Sequence, residues 1–320
     1  MPRPNLTEIP LIDIAALRTG ARDGVDEVAA RIVAACEIAG FFYVSGHGVP
    51  NSRIAEIFDA ADWFFAAPQV LRDALDVKTS PNFRGYVPMG IIGPNKPRRM
   101  LEAFQMMLDL PPDDPDVRAG NIMAGPNRWP DGAPAFRAAM EAYFAAMMDL
   151  TRLLLSAFAR GLRLPDDFFS AHFRKPLTQL RLLHYPPQPP DSDAVGVEAH
   201  TDTGAFTILL QDDVGGLEVR TRDGRWIAAP PISGALVINI ADMMQRWTNG
   251  RFVSTPHRVR NRTGRDRISV PFFANPDYRA VITPIAGARP DGEISYTPLA
   301  CGPYVEAAYL AAWPHAERKQ

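Results

Sequence analysis

The chain has 320 residues, of which 47% are hydrophobic and 22% are charged, and its formal net charge is −2. A chain of this composition can bury a substantial core, and because it has no basic block a nucleic-acid-binding surface is excluded. The sequence has no continuous apolar run of about 18 residues that would predict a membrane span, and its N-terminal residues predict no secretory signal. Cys36 and Cys301 form no metal or redox motif. We therefore expect a cytoplasmic protein with no nucleic acid and no membrane partner.

The N-terminal region, residues 1–110, is predicted to combine short strands with helices. Apolar spacing predicts a strand over residues 8–14, a helix over 24–39, a strand over 41–48, a helix from about 51, and a strand-like alternation over 101–110. Asn51 is predicted to be the N-cap of the second helix. His47 lies between two glycines with no second ligand nearby, so it is interpreted as structural.

A long helix is predicted over residues 133–163, after a linker rich in proline and aspartate. Its apolar side chains recur every three or four residues: Phe136, Met140, Tyr143, Met147, Leu150, Leu154 and Phe158. At 1.5 Å per residue such a helix spans about 40 Å and could brace a whole sheet. A short capped helix that carries His172 is predicted over residues 164–173.

Residues 178–285 are predicted to form short strands separated by turns. Asp223-Gly224 is a hairpin signal within this region. Many short strands after a helical half indicate a β-barrel or jelly roll backed by helices. Residues 286–320 form a C-terminal segment that includes a helix and an exposed His315. We expect the 320 residues to form a single domain. The oligomeric state is left open, and a monomer is consistent with the sequence.

A histidine and a carboxylate lie two residues apart in the stretch GVEAHTDTGAFTILLQDD. On a strand, His200 and Asp202 would point to the same face, although this spacing alone is common by chance. His257 follows Asp202 by 55 residues, and Arg267-Ile268-Ser269 begins ten residues later. Two imidazoles and one carboxylate are typical of non-haem Fe(II) oxygenases. Zinc is less favoured, because structural zinc sites have four ligands and usually include cysteine.

The chain resembles the isopenicillin N synthase-like family of Fe(II)- and 2-oxoglutarate-dependent dioxygenases. The resemblance covers nearly all of it, through IPLIDIAAL, AGFFYVSGHGVP, RLLHYPPQP, HTDTGAFTILLQDDVGGLEV, GALVINIADMMQRWTNGRFVSTPHRV and RISVPFFANP. It implies a mostly β fold, a double-stranded β-helix (jelly roll) core flanked by helices. The implied cofactors are Fe(II), 2-oxoglutarate as co-substrate and O2, and the implied partner is a small-molecule substrate.

The same resemblance assigns roles to the site residues. His200, Asp202 and His257 match the iron ligands. Arg267 and Ser269 match the motif that binds the far carboxylate of 2-oxoglutarate. A planar guanidinium suits that task because it donates two parallel hydrogen bonds.

Two further positions are assigned around the co-substrate and the substrate. Tyr185 matches a tyrosine that reaches the co-substrate or substrate, and Leu183 departs from the asparagine of many plant relatives. The residues expected to face the substrate are Arg84, Tyr86, Phe104, Gln105, Phe206 and Phe273. A pocket cation at Arg84 would suit a substrate with a carboxylate.

Several functions are compatible with this motif. The first is a 2-oxoglutarate-dependent oxygenase that hydroxylates, desaturates or closes a ring in a small molecule and releases succinate and CO2. The alternatives are an Fe(II) oxidase that does not use 2-oxoglutarate, as isopenicillin N synthase does not, an enzyme that fragments 2-oxoglutarate to ethylene, and a catalytically silent binding module. An intact ligand triad argues against the last of these.

Overall fold

The computed structural model describes residues 8–20, 22–90, 100–188, 196–287, 293 and 295–312. The strands in these ranges are β1 (Leu11–Asp13), β2 (Phe41–Ser45), β3 (Gly85–Val87), β4 (Glu102–Met107), β5 (Gln179–Tyr185), β6 (Val197–His200), β7 (Phe206–Gln211), β8 (Leu217–Arg220), β9 (Trp226–Ala228), β10 (Leu236–Ile240), β11 (His257–Val259), β12 (Arg267–Ala274), β13 (Val281–Ile282) and β14 (Leu299–Ala300). The α-helices are α1 (Ala15–Thr19), α2 (Arg22–Ile38), α3 (Asn51–Ala66), α4 (Gln69–Asp73), α5 (Pro115–Arg118), α6 (Pro134–Gly161), α7 (Asp242–Trp247) and α8 (Cys301–Ala312).

The strands form two main sheets whose order identifies a jelly roll. The large sheet has the order β1-β2-β10-β7-β12-β5-β4-β3, and the small sheet has the order β6-β11-β8-β9. Consecutive strands from β5 to β12 alternate between the two main sheets, except at the β8–β9 hairpin, and β13 pairs with β14 separately. All pairs in the two sheets are antiparallel except β1 with β2. The predicted jelly-roll core flanked by helices is confirmed.

Helix α6 packs against the outer face of the large sheet, and its 28 residues span about 42 Å. Phe144 contacts Phe272 of β12 with ring centroids 5.3 Å apart, and Phe158 contacts Phe206 of β7 at 5.4 Å. By length and composition this helix is the one in the described ranges that could cross a membrane, yet 61% of its most apolar window is buried inside the protein. The prediction of a long bracing helix is confirmed.

Two local predictions near helix termini are wrong. Pro50 is the N-cap of α3, and Asn51 is its first helical residue. The predicted helix over residues 164–173 is reduced to a short 3-10 turn, Ser170–His172. The reason is tertiary packing: the side chain of Phe169 is buried edge-on against Trp247, with ring centroids 4.9 Å apart. His172 also packs on Trp247, at 5.1 Å, whereas His315 lies outside the described residues.

A network of charged side chains joins α4 and β4 to β5 and the residue before β12. His184 Nδ1 lies 2.9 Å from Glu102 Oε1, and His184 Nε2 lies 2.8 Å from Asp266 Oδ1. Arg72 also forms an ion pair with Glu102. Burial lowers the pKa of His184, but the two carboxylates outweigh it, and the pKa is raised above its ordinary value.

We expect this network to make folding stability depend on pH. Because the pKa of His184 is raised in the folded state, its stabilising effect is complete below the unfolded pKa of about 6.5 and is lost as the pH rises through the folded pKa. The expected loss is about 1 kcal/mol of unfolding free energy, measured by urea unfolding at about pH 6 and about pH 9. In His184→Gln this component of the pH dependence should vanish. An unchanged pH profile in the variant would contradict the assignment.

Candidate active site

A cavity of about 270 Å³ opens between the two sheets and is bounded on one side by α8. The large sheet, the small sheet and the turn after β6 all contribute to its wall. Eight of the residues predicted from sequence line it: Gln105, Tyr185, His200, Asp202, His257, Arg267, Ser269 and Phe273. The remaining four, Arg84, Tyr86, Phe104 and Phe206, are not among its lining residues.

His200, Asp202 and His257 converge at one point of this cavity. His257 is the first residue of β11 and pairs with His200, the last residue of β6. Asp202 Oδ1 lies 3.4 Å from His200 Nε2 and 3.7 Å from His257 Nε2. The sequence argument that His200 and Asp202 lie on one strand is wrong, because β6 ends at His200 and Asp202 lies in the connection from β6 to β7. The carboxylate nevertheless faces both imidazoles, as the same-face prediction required.

Backbone carbonyl groups orient both imidazole rings. His200 Nδ1 lies 2.8 Å from the carbonyl oxygen of Glu198, and His257 Nδ1 lies 3.2 Å from that of Thr255. Because a carbonyl only accepts, Nδ1 carries a ring proton in both histidines, and Nε2 is the nitrogen that faces Asp202. Burial lowers the pKa of His257, and although Asp202 opposes this, the net shift is downward. The shift favours the neutral form of the His257 ring, which is the form that binds a metal.

The second oxygen of Asp202 is held by two donors. Thr207 Oγ1 donates to Oδ2 at 2.6 Å, and Asn239 Nδ2 donates to the same oxygen at 2.8 Å. Burial raises the pKa of Asp202, but His257, His200 and the hydrogen bond from Thr207 outweigh it, so the pKa lies below its ordinary value. The carboxylate is ionised and turns Oδ1 toward the imidazoles.

The resulting donor set fits a divalent transition metal. One ligand atom from each of His200, Asp202 and His257 lies within 4.8 Å of the others. A facial set of two neutral imidazoles and one carboxylate favours Fe(II) and leaves coordination positions for other ligands. Sequence reasoning missed the supporting Thr207 and Asn239. Asn239 could have been found, because it is the one polar residue in the apolar strand LVINI and a buried amide needs partners.

Arg267 is a fully buried cation in the same cavity. Its Nε donates to the carbonyl oxygen of Gly215, and its terminal nitrogens donate to Ser269 Oγ at 3.1 Å and Gln211 Oε1 at 3.2 Å. Its guanidinium lies over the ring of Tyr185, 4.7 Å from the centroid. No carboxylate among the described residues forms an ion pair with it. Three of the five N–H groups are used, so one on each terminal nitrogen remains for an anion.

Leu183 lies beside this anchor. It is opposite Ser269 in the register of β5 and β12, and it lines the cavity. At this position the chain has an apolar side chain where many plant relatives have a polar one. The hydrogen bonds recorded beside Leu183 are those that Arg267 donates to Ser269 and Gln211.

The prediction that Arg84 faces the substrate is contradicted. Its side chain is 1% exposed, and its terminal nitrogens donate to the backbone carbonyls of Asn82, Leu108 and Met123 at 2.6, 3.3 and 3.1 Å. The guanidinium thus joins the loop before β3 to the segments that follow β4. Burial lowers the pKa of Arg84 to about 10. Its contacts are those of a structural cation.

We therefore expect Arg84→Met to destabilise the fold without changing co-substrate affinity. Three buried carbonyl groups would lose their donor, at a cost of about 2–4 kcal/mol of unfolding free energy. Chemical unfolding measures this cost, and a 2-oxoglutarate titration of the folded variant measures affinity. A stable variant with weakened ligand binding would restore Arg84 to the site.

The other three excluded residues belong to the core. Tyr86 donates to Glu102, and Phe104 lies 4.8 Å from Phe64 in an aromatic cluster. Phe206 points to the outer face of the large sheet, where it contacts Phe158. Because strand neighbours point to opposite faces, Thr207 and not Phe206 faces the cavity.

Comparison with known proteins agrees with this geometry. Residues 176–276 match the family model of the 2OG-Fe(II) oxygenase superfamily, and residues 9–132 match the model described as non-haem dioxygenase in morphine synthesis N-terminal. A 2-oxoglutarate-Fe(II) type oxidoreductase, hxnY, from Emericella nidulans is 34% identical over 88% of this chain and 84% of its own length. Homoarginine-6-hydroxylase 2-ODD-C23 from Glycine max is 34% identical over 88% of this chain and 89% of its own length.

A solved structure superposes on nearly the whole chain. Neurospora crassa T7H in complex with alpha-KG and thymine superposes with a TM-score of 0.85 at 26% identity, covering 95% of this chain and 97% of that one. The two family models, the two relatives and this structural likeness agree on the fold and on the chemistry. The chain belongs to the 2OG-Fe(II) oxygenase superfamily and is an Fe(II)- and 2-oxoglutarate-dependent oxidoreductase.

Proposed function

We propose that His200, Asp202 and His257 hold the Fe(II), and that Arg267 and Ser269 hold the far carboxylate of 2-oxoglutarate, with Tyr185 packed on the guanidinium. The observation that carries this proposal is the buried Arg267, which keeps two donors for an anion in the cavity that contains the triad. A buried cation without a carboxylate partner is costly, and a bound dianion would remove that cost.

The chain's own residues bind, orient and exclude water. Thr207 and Asn239 hold the carboxylate of Asp202 so that one oxygen faces the metal position. When bound, Fe(II) with 2-oxoglutarate and dioxygen supplies the oxidising equivalents, and 2-oxoglutarate leaves as succinate and CO2. Apolar side chains from both sheets, among them Leu209, Leu217 and Val259, line the cavity and keep water from the reacting atoms.

We propose that the substrate is a small molecule that is hydroxylated, desaturated or cyclised. Support comes from the cavity volume of about 270 Å³ and from relatives whose names indicate small substrates, homoarginine in one and thymine in the other.

The test is anaerobic loading with Fe(II) and then 2-oxoglutarate. A visible charge-transfer band that saturates at one 2-oxoglutarate per chain is expected, followed in air by succinate release that a true substrate accelerates. Failure to produce the band would exclude chelation of 2-oxoglutarate. Ethylene release without an oxidised substrate would instead identify the fragmentation reaction.

We also propose that residues 1–320 act as a single catalytic domain in the cytoplasm and without nucleic acid. Cys36 and Cys301 are buried free thiols, which suits a reducing compartment. The two family models fall on adjacent parts of one fold, because β4 from the N-terminal part pairs with β5 from the C-terminal part. Cell fractionation and light scattering would test localisation and mass.

A further inference from the structure

A row of four side chains from the large sheet crosses the cavity. In the sheet register, Asn239 of β10 pairs with Thr207 of β7, and Thr207 pairs with Phe273 of β12. Phe273 in turn pairs with Gln179 of β5, and all four residues line the cavity. Because Thr207 and Asn239 hold the carboxylate of Asp202, the row places Gln179 at the same level as the metal-binding triad.

Gln179 lies near the triad and far from the co-substrate anchor. Neighbouring strands are about 4.8 Å apart, so two strand spacings, about 10 Å, separate the backbones of Gln179 and Thr207. Arg267 is the register partner of Tyr185, which lies six residues from Gln179 along β5. Six residues of a strand span about 20 Å. A co-substrate held by Arg267 therefore leaves Gln179 for a second ligand.

The amide of Gln179 has a buried donor without a partner. The residue is 4% exposed, and within the described part of the chain its Nε2 has no hydrogen-bond partner. By contrast, another amide that lines the cavity is fixed, because Gln105 Nε2 donates to the carbonyl oxygen of Phe83 at 2.6 Å. Proteins rarely leave a buried donor unsatisfied. The terminal torsion of glutamine is soft, so the amide of Gln179 can turn its donor toward an acceptor on a ligand.

The charges around the cavity indicate that this ligand is neutral. Among the described lining residues, Asp202 is the acidic side chain, and Arg181 and Arg267 are the cations. Asp202 is assigned to the metal and Arg267 to the co-substrate, and Arg181 already has an interaction partner within the protein. The amide of Gln179 carries no charge. An anion bound there would be buried without a dedicated counter-charge, whereas a carbonyl oxygen needs only the hydrogen bond.

Apolar side chains complete the surroundings of this amide. Phe273 lies between Gln179 and Thr207 in the row, and Leu101 and Val305 also line the cavity. A carbonyl compound bound by Gln179 would extend across Phe273 toward the triad. Its hydrocarbon part would contact apolar walls, and in such surroundings a hydrogen bond is stronger than in water.

We propose that the substrate carries a neutral carbonyl group, such as that of a ketone or an amide, whose oxygen accepts a hydrogen bond from Gln179 Nε2. This inference rests on the proposed function, because it takes the cavity beside the triad as the substrate site. Gln179 determines specificity: it selects an acceptor group and orients the adjoining hydrocarbon toward the triad. It has no part in binding the metal or 2-oxoglutarate.

The experiment uses the full chain loaded anaerobically with Fe(II) and saturating 2-oxoglutarate. Two sets of probes with matched shapes are titrated by ligand-observed NMR. One set is acetophenone, its alkene isostere α-methylstyrene, and benzoate; the other is cyclohexyl methyl ketone, isopropenylcyclohexane and cyclohexanecarboxylate. In at least one set the ketone is expected to bind about 3- to 10-fold more tightly than the alkene, as one neutral hydrogen bond implies, and more tightly than the acid.

Substitution of Gln179 locates this preference. Gln179→Met keeps the size of the side chain and removes the donor, so the ketone should bind about 3- to 10-fold more weakly and no better than the alkene. Gln69→Met makes the same replacement at an exposed position on α4 and should leave probe binding unchanged. The inference is wrong if no ketone binds more tightly than its alkene, including the case in which neither binds, or if Gln179→Met retains the preference. Tighter binding of the acid than of the ketone in both sets would also overturn it.

Urea unfolding of the metal-free protein gives a measurement that needs no ligand. Gln179→Met should unfold at the same urea concentration as the wild type or at a higher one, because the donor that it removes has no partner in the fold. A lower midpoint would assign the amide a structural role and overturn the inference. The visible band of chelated 2-oxoglutarate should form in both proteins. Its absence from the wild type would overturn the proposed function, whereas its loss in Gln179→Met alone would place Gln179 in the co-substrate site and overturn this inference.

Discussion

Arg267→Ala is expected to weaken 2-oxoglutarate binding by about 2–4 kcal/mol, which is roughly 30- to 700-fold in Kd. The guanidinium is fully buried, and its remaining donors are fixed in direction by Gly215, Ser269 and Gln211. Truncation would leave the far carboxylate of the co-substrate in a cavity without a counter-charge. Anaerobic titration of the visible band measures the change.

The control for this variant is close in sequence. Arg265→Ala also removes an arginine next to β12, but Arg265 is exposed and pairs on the surface with Asp213 at 2.9 Å. We expect its affinity for 2-oxoglutarate to match that of the wild type, because exposed ion pairs contribute little. Arg267→Lys should bind with intermediate affinity, since it keeps the charge and loses the planar fork. If Arg267→Ala and Arg265→Ala bind 2-oxoglutarate equally, Arg267 is not the anchor.

Asp202→Ala is expected to abolish Fe(II) binding, with a loss of more than about 100-fold in affinity. Removal of a second-sphere partner alone typically costs 10- to 100-fold, and here a ligand itself is lost. The fold should persist, because Asp202 lies in a turn at the cavity wall. The unfolding free energy should fall by at most about 3 kcal/mol, because Thr207 and Asn239 lose their acceptor.

Anaerobic calorimetry with Fe(II) and circular dichroism of the metal-free protein measure these two effects separately. Asp213→Ala is the matched control, since its carboxylate is 77% exposed and lies outside the cavity. The Fe(II) affinity of Thr207→Val should lie between those of Asp202→Ala and Asp213→Ala. We expect about 10-fold weaker metal binding than in the wild type, because Asn239 still holds the carboxylate. Wild-type Fe(II) affinity in Asp202→Ala would exclude the triad as the metal site.

The fold could be predicted from sequence where apolar periodicity is long and unbroken. Helix α6 was predicted over 133–163 and spans Pro134–Gly161, because its buried stripe continues for several turns. The helix predicted over 164–173 does not form, because burial of Phe169 against Trp247 overrides local helical preference. Short-range pattern is informative only where tertiary packing agrees with it.

The chemistry of the metal end could be predicted from the identity and order of His200, Asp202, His257 and Arg267, because these residues specify which donors are available. Which other polar residues line the cavity depends on the tertiary structure. The sequence does not distinguish the surroundings of Arg84 from those of Arg181. In the structure, Arg84 donates to backbone carbonyls, whereas Arg181 lines the cavity. That difference depends on which strand face is turned inward and on the pairing of β4 with β5. Because β4 and β5 are far apart in the chain, no local sequence pattern predicts that they pair.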